Sequence, residues 1–387
     1  MDRRQKVTQF ILPGAKGIEI GPWCNPLTPK SAGYDCTVLD VFDTLTLKAR
    51  ANADPSISKE QEGDIEDVDL VGSSSQIAEL VEGINALGAF DYIVSSHNLE
   101  HVPDLIKFFQ GCERVLKPGG VLSMAIPDRR GCFDFFRPNS SLADVLDSHF
   151  TNRVQPSAAQ IFEHSSLYAR QVLDGVSVSG FHTGVKATNI EPFETLAETF
   201  DIWKARVLSK DTAYIDVHCW TFTPSSFELI FKELSFLGLT KLDLLSIEAM
   251  GGEFHVHFRN KAEQAKWINE DFYKQRLALL QKINNEACVT SPLFQHYVAE
   301  VVVLEQYRKE EKVGSRRGLE GQHSKSKREK EPLELKVEKV KHELEVVKQE
   351  LADSRMVVAA LKNSSSWKFT APLRYTIEKL RVVLRMP

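Results

Sequence analysis

Three groups of residues have the types and spacing to do chemistry. The first is Glu19-Ile20-Gly21-Pro22, which closes the β-branched run Gly17-Ile18-Glu19-Ile20. A turn of that kind presents backbone amides at the carboxyl end of a strand, where open α/β sheets bind ligands. Asp40 ends a second run, Cys36-Thr37-Val38-Leu39. It lies about 20 residues on, the position of an acid that accepts both ribose hydroxyl hydrogen bonds. Only one glycine stands where a dinucleotide fingerprint has three, so a pyrophosphate cannot approach closely and nicotinamide or flavin chemistry is disfavoured. A ligand without phosphate, with an amino-acid end and a nucleoside end, fits this turn better.

The second group is Ser95-Ser96-His97, at the end of the apolar run FDYIVSSH (90–97). Strand ends at this edge face the reacting centre of a ligand held by the first turn. His97, then His182 and His218, are the side chains that can take a proton from a hydroxyl near neutral pH. His164 is a further base candidate with a less defined place. His101 shares a face with His97 only if a helix starts early; otherwise it packs at the helix entry. The third group, Asp128-Arg129-Arg130, follows VLSMAIP (121–127). Its two guanidiniums suit a bidentate clamp on an acidic sugar or a phosphate, or equally a solvated surface pair. No metal site is expected. His97, Glu100 and His101 lack the H-E-x-x-H order, and His255 and His257 share one side of a strand with no third ligand in view.

The elements that must position these groups alternate in type. Runs at 17–20, 36–40, 67–71, 90–97 and 121–127 read as strands. Residues 76–87 carry Ile77, Leu80, Val81, Ile84 and Leu87 at helical spacing, and a second helix enters through Pro103 and Asp104. Alternation of this kind implies right-handed crossovers and a parallel sheet covered on both faces. Pro224-Ser225-Ser226 caps a helix over 227–237, and 241–250 and 253–260, joined by Gly251-Gly252, read as a hairpin. Between them, 131–220 mixes aromatics, histidines and turns without a clean period.

The runs GIEIGPWCNP, VLD, FDYIVSSHNLEHVPD and RVLKPGGVLSMAIPD, with the terminal hairpin, resemble the S-adenosylmethionine-dependent methyltransferases of the seven-stranded Rossmann-like type. The resemblance covers about 17–128 and 222–260. DRRGCFDFFRP and DVHCWTFTP look like a bacterial subgroup met among polysaccharide-biosynthesis proteins. The resemblance implies an α/β fold with a mostly parallel seven-stranded sheet and a C-terminal antiparallel hairpin, S-adenosylmethionine as cofactor, and O-methylation of a sugar or glycan intermediate. It places Glu19, Gly21, Pro22, Asn25, Asp40, Ser95, Ser96 and His97 at the cofactor, although Asn25 suits a helix cap equally. It makes His97, His218 and His182 the candidate bases, and Asp128, Arg129 and Arg130 the substrate contacts. Trp23 stands where many members have a second glycine, which predicts a crowded or reshaped turn. No acid or hydroxyl after the third strand stands out for the adenine among Asp69, Ser73 and Ser74. Alternatives are a small-metabolite, lipid or protein acceptor, or a coiled-coil scaffold with a decayed cofactor site.

The whole chain bounds these readings. Its 387 residues, 42% apolar and 26% charged, suffice for a large core, and a net charge of -5 argues against coating nucleic acid. The six cysteines form no C-x-x-C pair, which suits reduced thiols in the cytoplasm. The N-terminal apolar stretch is broken by Pro13 and Gly14 too soon for a signal peptide, and no run reaches the roughly 20 apolar residues of a membrane span. The expected divisions are 1–130 (cofactor part), 131–221 (a helical insertion or lid with the acceptor region) and 222–260 (closing helix and hairpin). A helical extension (261–311), a linker (312–332), a coiled coil (333–362) and a basic amphipathic tail (363–387) follow. The coiled-coil seam runs from Leu333 to Leu361 and implies a homo-oligomer or a helical partner. The run SSSWKFTAPLR resembles a C-terminal motif of bacterial glycosyltransferases, and the tail suits a membrane surface on the cytoplasmic side or a partner enzyme.

Overall fold

The computed structural model describes residues 2–173, 176–185 and 187–288. The expected linker, coiled coil and tail, and the end of the helical extension, lie outside the described residues. The sheet, the insertion and the site belong to one compact unit, formed by the described residues of Met1–Thr183 and Ile190–Ile283.

After a short helix, α1 (Arg3–Val7), the chain lays down β1 (Lys16–Ile20), β2 (Asp35–Asp40), α2 (Thr44–Ala53), α3 (Lys59–Gly63), β3 (Leu70–Val71), α4 (Ile77–Gly83), β4 (Phe90–Ser96), α5 (Leu105–Val115) and β5 (Leu116–Pro127). β1 to β5 pair in parallel in the order β3-β2-β1-β4-β5. The inner strands are buried on both faces, which is why they read as apolar runs rather than alternations. Gly17 lets the ring of Tyr92 lie flat on β1, since a Cβ there would fall 2.1 Å from the ring. α5 shows how helical spacing becomes packing. Asp104 caps it through the Lys107 amide, and Leu105, Ile106, Phe109, Cys112 and Val115 are buried.

Beyond β5 come α6 (Leu142–Phe150), α7 (Ala158–Ser166), β6 (Ala169–Leu173), β7 (Val176–Val178), β8 (Ile190–Pro192) and α8 (Leu196–Ser209). The insertion is helical as expected, but it also holds a three-stranded antiparallel sheet, β7-β6-β8. Strands of three to five residues are too short to show a period of two.

α9 (Pro224–Phe236) leads into β9 (Leu242–Met250) and β10 (Glu253–Asn260), and α10 (Asn269–Cys288) ends the described chain. β10 slots between β5 and β9, antiparallel to both, so its first residue, Glu253, pairs with Pro127 at the end of β5. The hairpin therefore delivers its turn to the carboxyl edge of the parallel strands. Glycine is needed at two positions there: a Cβ on Gly131 would lie 2.5 Å from the Gly252 Cα, and a Cβ on Gly252 would lie 2.7 Å from the Phe181 carbonyl oxygen. No helix among the described residues is long and apolar enough to cross a membrane.

His257 of β10 makes folding pH-dependent. Its ring is fully buried, with Nδ1 2.9 Å from the Ser123 hydroxyl and Nε2 3.0 Å from the Gln9 amide. Burial, reinforced by His255, depresses its pKa to about 4. The folded state holds the neutral ring, whereas an unfolded histidine titrates near 6.5. This contribution is complete above about pH 6.5 and should be lost as pH falls toward 4, by on the order of 3 kcal/mol in all. Urea midpoints across that range should flatten in His257→Gln; an unchanged slope would refute the assignment.

Candidate functional site

Glu19 shapes the loop after β1. Its carboxylate accepts the backbone N–H groups of Leu27 and Thr28 and the Thr28 hydroxyl, each at 2.7 Å. Burial raises its pKa, and these bonds oppose the rise. Glu19 thus holds the loop in shape, a correction to its expected contact with a ligand. Gly21 has φ +60°, and its N–H reaches the Leu39 carbonyl at 2.8 Å. A Cβ on Gly21 would meet nothing within 4 Å, so the backbone faces open space. Trp23 does not crowd that space. It takes φ +49° and packs against Cys24, Leu47, Ala51 and Ile65 beside α2. Pro22 is buried, while Asn25 is exposed and starts no helix.

Asp40 is buried at the tip of β2, with Oδ1 accepting the Phe42 N–H at 3.1 Å. Burial raises its pKa. Asp69 is committed to the Val38 N–H (2.8 Å) and Lys30 (3.0 Å), and Ser73 accepts the Ser75 N–H at 3.3 Å. Ser74 donates to Asn98 Oδ1 at 2.9 Å. The Ser75 hydroxyl and the Asn98 amide nitrogen remain buried without a hydrogen-bond partner. An open glycine turn, a buried acid at the next strand tip and two unsatisfied buried polar groups at the ends of β3 and β4 suit a nucleoside carrying hydroxyls. Ser95 is buried within β4. Ser96, expected at the cofactor, instead accepts a 2.6 Å hydrogen bond from Arg3, because α1 lies against β10 and β5.

The chain leaving β4 gathers the ionisable groups. His97, at φ +49°, is half exposed. Its Nε2 is 2.8 Å from Glu253 Oε2 and its Nδ1 is 3.5 Å from Glu100 Oε1. Burial disfavours its charge, but hydrogen bonding and the charges of Glu100 and Glu253 outweigh this and push its pKa up to about 10. Solvent on the open half of the ring screens part of that effect. A ring that stays charged at neutral pH cannot take a proton, which corrects the assignment of His97 as base. Glu253 also takes both a bidentate pair from Arg3 (2.7 and 3.0 Å) and the His255 ring (2.8 Å). Burial opposes its charge, but these partners hold its carboxyl far below the usual range.

The buried side of the cluster belongs to Glu100, His101 and His218. Glu100 is 0% exposed, and neither of its carboxylate oxygens has a hydrogen bond. Its backbone carbonyl takes the N–H groups of Cys219 (2.6 Å) and Trp220 (3.2 Å), docking the segment that carries His218. His218 Nδ1 is 2.5 Å from Asp134 Oδ2, and its Nε2 is 3.8 Å from Glu100 Oε1. His101 Nδ1 is 2.8 Å from Asp216 Oδ1, and the two imidazoles meet edge to face at 4.7 Å. Carboxylates only accept, so Nδ1 of each ring carries a proton, which leaves Nε2 as the atom that can offer a lone pair. Asp134 also binds the buried Arg137 at 2.8 Å. Burial works against its charge, yet His218 and Arg137 bring its pKa down to about 2. Phe133 stacks on Tyr168 at 4.5 Å and lies 4.6 Å from His218, walling the cluster with an aromatic plate. His164 lies beside it, its pKa depressed to about 4 by burial.

The remaining expected residues lie elsewhere or are engaged internally. His182 follows Phe181, whose N–H reaches the Gly131 carbonyl at 3.0 Å, so it sits by the β9–β10 turn. Burial lowers its pKa. Arg130 is clamped on the buried Asp128 at 2.6 and 2.9 Å, and Arg129 holds Asn139 (2.7 Å) and the Phe135 carbonyl (2.9 Å). These three residues shape the loop after β5, which corrects their assignment as an anion clamp. Trp220 is core, and the Trp203 indole donates to the Ala158 carbonyl at 2.7 Å. Sequence reading considered Glu100 only in setting aside a metal motif, and left out Asp134, Asp216 and Glu253. Glu100, Asp134 and Asp216 sit inside the EHVPD, DRRGCFDFFRP and DVHCWTFTP runs, which were the available signal.

Comparison with known proteins bears on this geometry. The sequence profile of the family described as "Methyltransferase domain" matches residues 17–240. Ubiquinone biosynthesis O-methyltransferase from strains of Xanthomonas campestris pv. campestris is 28% identical over 128 residues, 31% of this chain and 46% of that protein. The chain spans about half the length of the curated relatives it matches. Among solved structures, a SAM-dependent methyltransferase from Methanosarcina mazei matches at 14% identity and a TM-score of 0.34, over 68% of this chain and 100% of its own. An S-adenosylmethionine-dependent methyltransferase from Mesorhizobium loti matches at 10% identity and a TM-score of 0.33, over 66% and 97%.

Proposed function

Because the chain belongs to the methyltransferase-domain family, whose cofactor is S-adenosylmethionine, we propose that it methylates a hydroxyl of a sugar or glycan intermediate in cell-surface polysaccharide biosynthesis. When bound, the cofactor supplies a methyl group already activated on a sulfonium, so the protein contributes alignment and proton handling. The open turn at Gly21 and Pro22 admits it, Asp40 accepts from its ribose, and Ser75 and Asn98 offer polar partners to its nucleoside end. Glu100, His101 and His218 direct their acceptor atoms toward one another, where an acceptor hydroxyl would lose its proton. Asp134 and Asp216 hold the two rings in the required tautomer. The Arg3–Glu253–His97 network is already ion-paired and stiffens the rim.

One observation carries this reading. Two imidazoles, each locked by its own carboxylate, meet a buried glutamate that has no hydrogen bond, beside a Phe133–Tyr168 plate of the kind that suits a sugar ring. The name of the Xanthomonas relative favours a second reading, a small ring hydroxyl as acceptor. The scaffold alternative rested on Trp23, and the placement of its indole beside α2 removes that ground. Incubation with methyl-labelled S-adenosylmethionine should place label in nucleotide sugars or extracted surface glycans. Label confined to phenols, lipids or protein would refute the glycan reading.

A further inference from the structure

We propose that Glu100, His101 and His218 bind a divalent transition-metal cation of the zinc kind. Each offers one ligand atom, and these atoms lie within 4.8 Å of one another. A cation about 2.0–2.2 Å from each would bring them to roughly 3.4 Å, so small side-chain rotations close the site. Two imidazoles and a carboxylate with an open fourth position form a donor set that zinc uses in catalytic sites, and imidazole disfavours magnesium or calcium.

Two independent features point to a ligand rather than to packing. Glu100 is wholly buried and neither carboxylate oxygen is hydrogen-bonded: Oε2 has no partner, and Oε1 has only long ion-pair contacts, 3.5 Å to His97 Nδ1 and 3.8 Å to His218 Nε2, a costly state that a cation seated between the ligand atoms would relieve. Each histidine donates its other ring nitrogen to a carboxylate, His101 to Asp216 and His218 to Asp134. Such outer partners orient metal-binding imidazoles and raise their basicity. Phe133 closes one side of His218, whereas His101 is 30% exposed and leaves the cluster a solvent side. The cation's use rests on the proposed O-methylation: with the three lone pairs coordinated, the cation would take over proton handling, and an acceptor oxygen on the open side would be oriented, acidified and lose its proton to solvent; the cation's binding does not rest on it.

The test uses full-length, tag-free protein stripped with chelator, with neither cofactor nor acceptor present. Titration with cobalt(II) should give one equivalent per chain with visible d–d absorption, displaced by zinc but not by magnesium. Glu100→Gln and His101→Asn should each weaken binding at least about 100-fold, and Asp216→Asn about 10- to 100-fold. His149→Gln, whose ring pairs with Asp104 elsewhere, should leave binding unchanged. Circular dichroism and S-adenosylmethionine calorimetry on each variant report whether it is folded. Absence of the cobalt bands, or bands that survive in folded Glu100→Gln and His101→Asn, would overturn the proposal. Methyl transfer by the metal-free protein would overturn the cation's use while leaving the O-methylation reading intact. Failure to bind S-adenosylmethionine would overturn that reading while leaving the cation site standing.

Discussion

Asp40→Asn should weaken S-adenosylmethionine binding by roughly 10- to 100-fold, the loss expected when charge-assisted hydrogen bonds are removed. Asp40 is the buried carboxylate at the tip of β2, and its Oδ1 already accepts the Phe42 N–H. An asparagine oxygen can keep that bond, so the strand tip holds its shape. The other oxygen becomes an NH2 group, which cannot accept from a ribose hydroxyl, and the negative charge is gone. Calorimetry gives the affinity directly and needs no acceptor. An unchanged dissociation constant in a folded variant would remove Asp40 from the cofactor site.

A larger effect is expected at His218. With the acceptor that the labelling experiment identifies, His218→Gln should lower turnover by about 100- to 10,000-fold, as loss of proton handling does. Affinity for S-adenosylmethionine should stay within about twofold. The amide can still donate to Asp134, and Arg137 stays at 2.8 Å from that carboxylate, so the buried charge keeps its partners. What disappears is the basic imidazole nitrogen turned toward Glu100, whether it takes the proton itself or holds the cation that acidifies the acceptor. His97→Gln provides the contrast. If His97 were the base, that variant and not His218→Gln would lose turnover, and the assignment made from the ion pairs around His97 would fail.

The sheet was legible because its signals are local. Apolar runs at 17–20, 36–40, 90–97 and 121–127 correspond to β1, β2, β4 and β5, and Gly251-Gly252 marks the β9–β10 turn. The third strand was overdrawn. Five residues were expected from 67, but β3 is Leu70–Val71. The Asp69 side chain takes the Val38 N–H, so the regular pairing of β2 with β3 begins only at Leu39 and Leu70. The small sheet of the insertion was illegible because its strands are shorter than the pattern that would reveal them.

The candidate site divides the same way. Sequence alone determined which residues stand at the strand ends: Gly21, Asp40, Ser96, His97 and Asp128 follow from where each run stops. Only the tertiary structure decided which of them remain available to a ligand. Ser96 is held by Arg3, 93 positions away, and His97 by Glu253, 156 positions away. Asp134 locks His218 across 84 positions. Periodicity and turn chemistry reach only a few residues along the chain, whereas the charge and hydrogen-bonding state of each side chain depends on whatever the fold brings beside it.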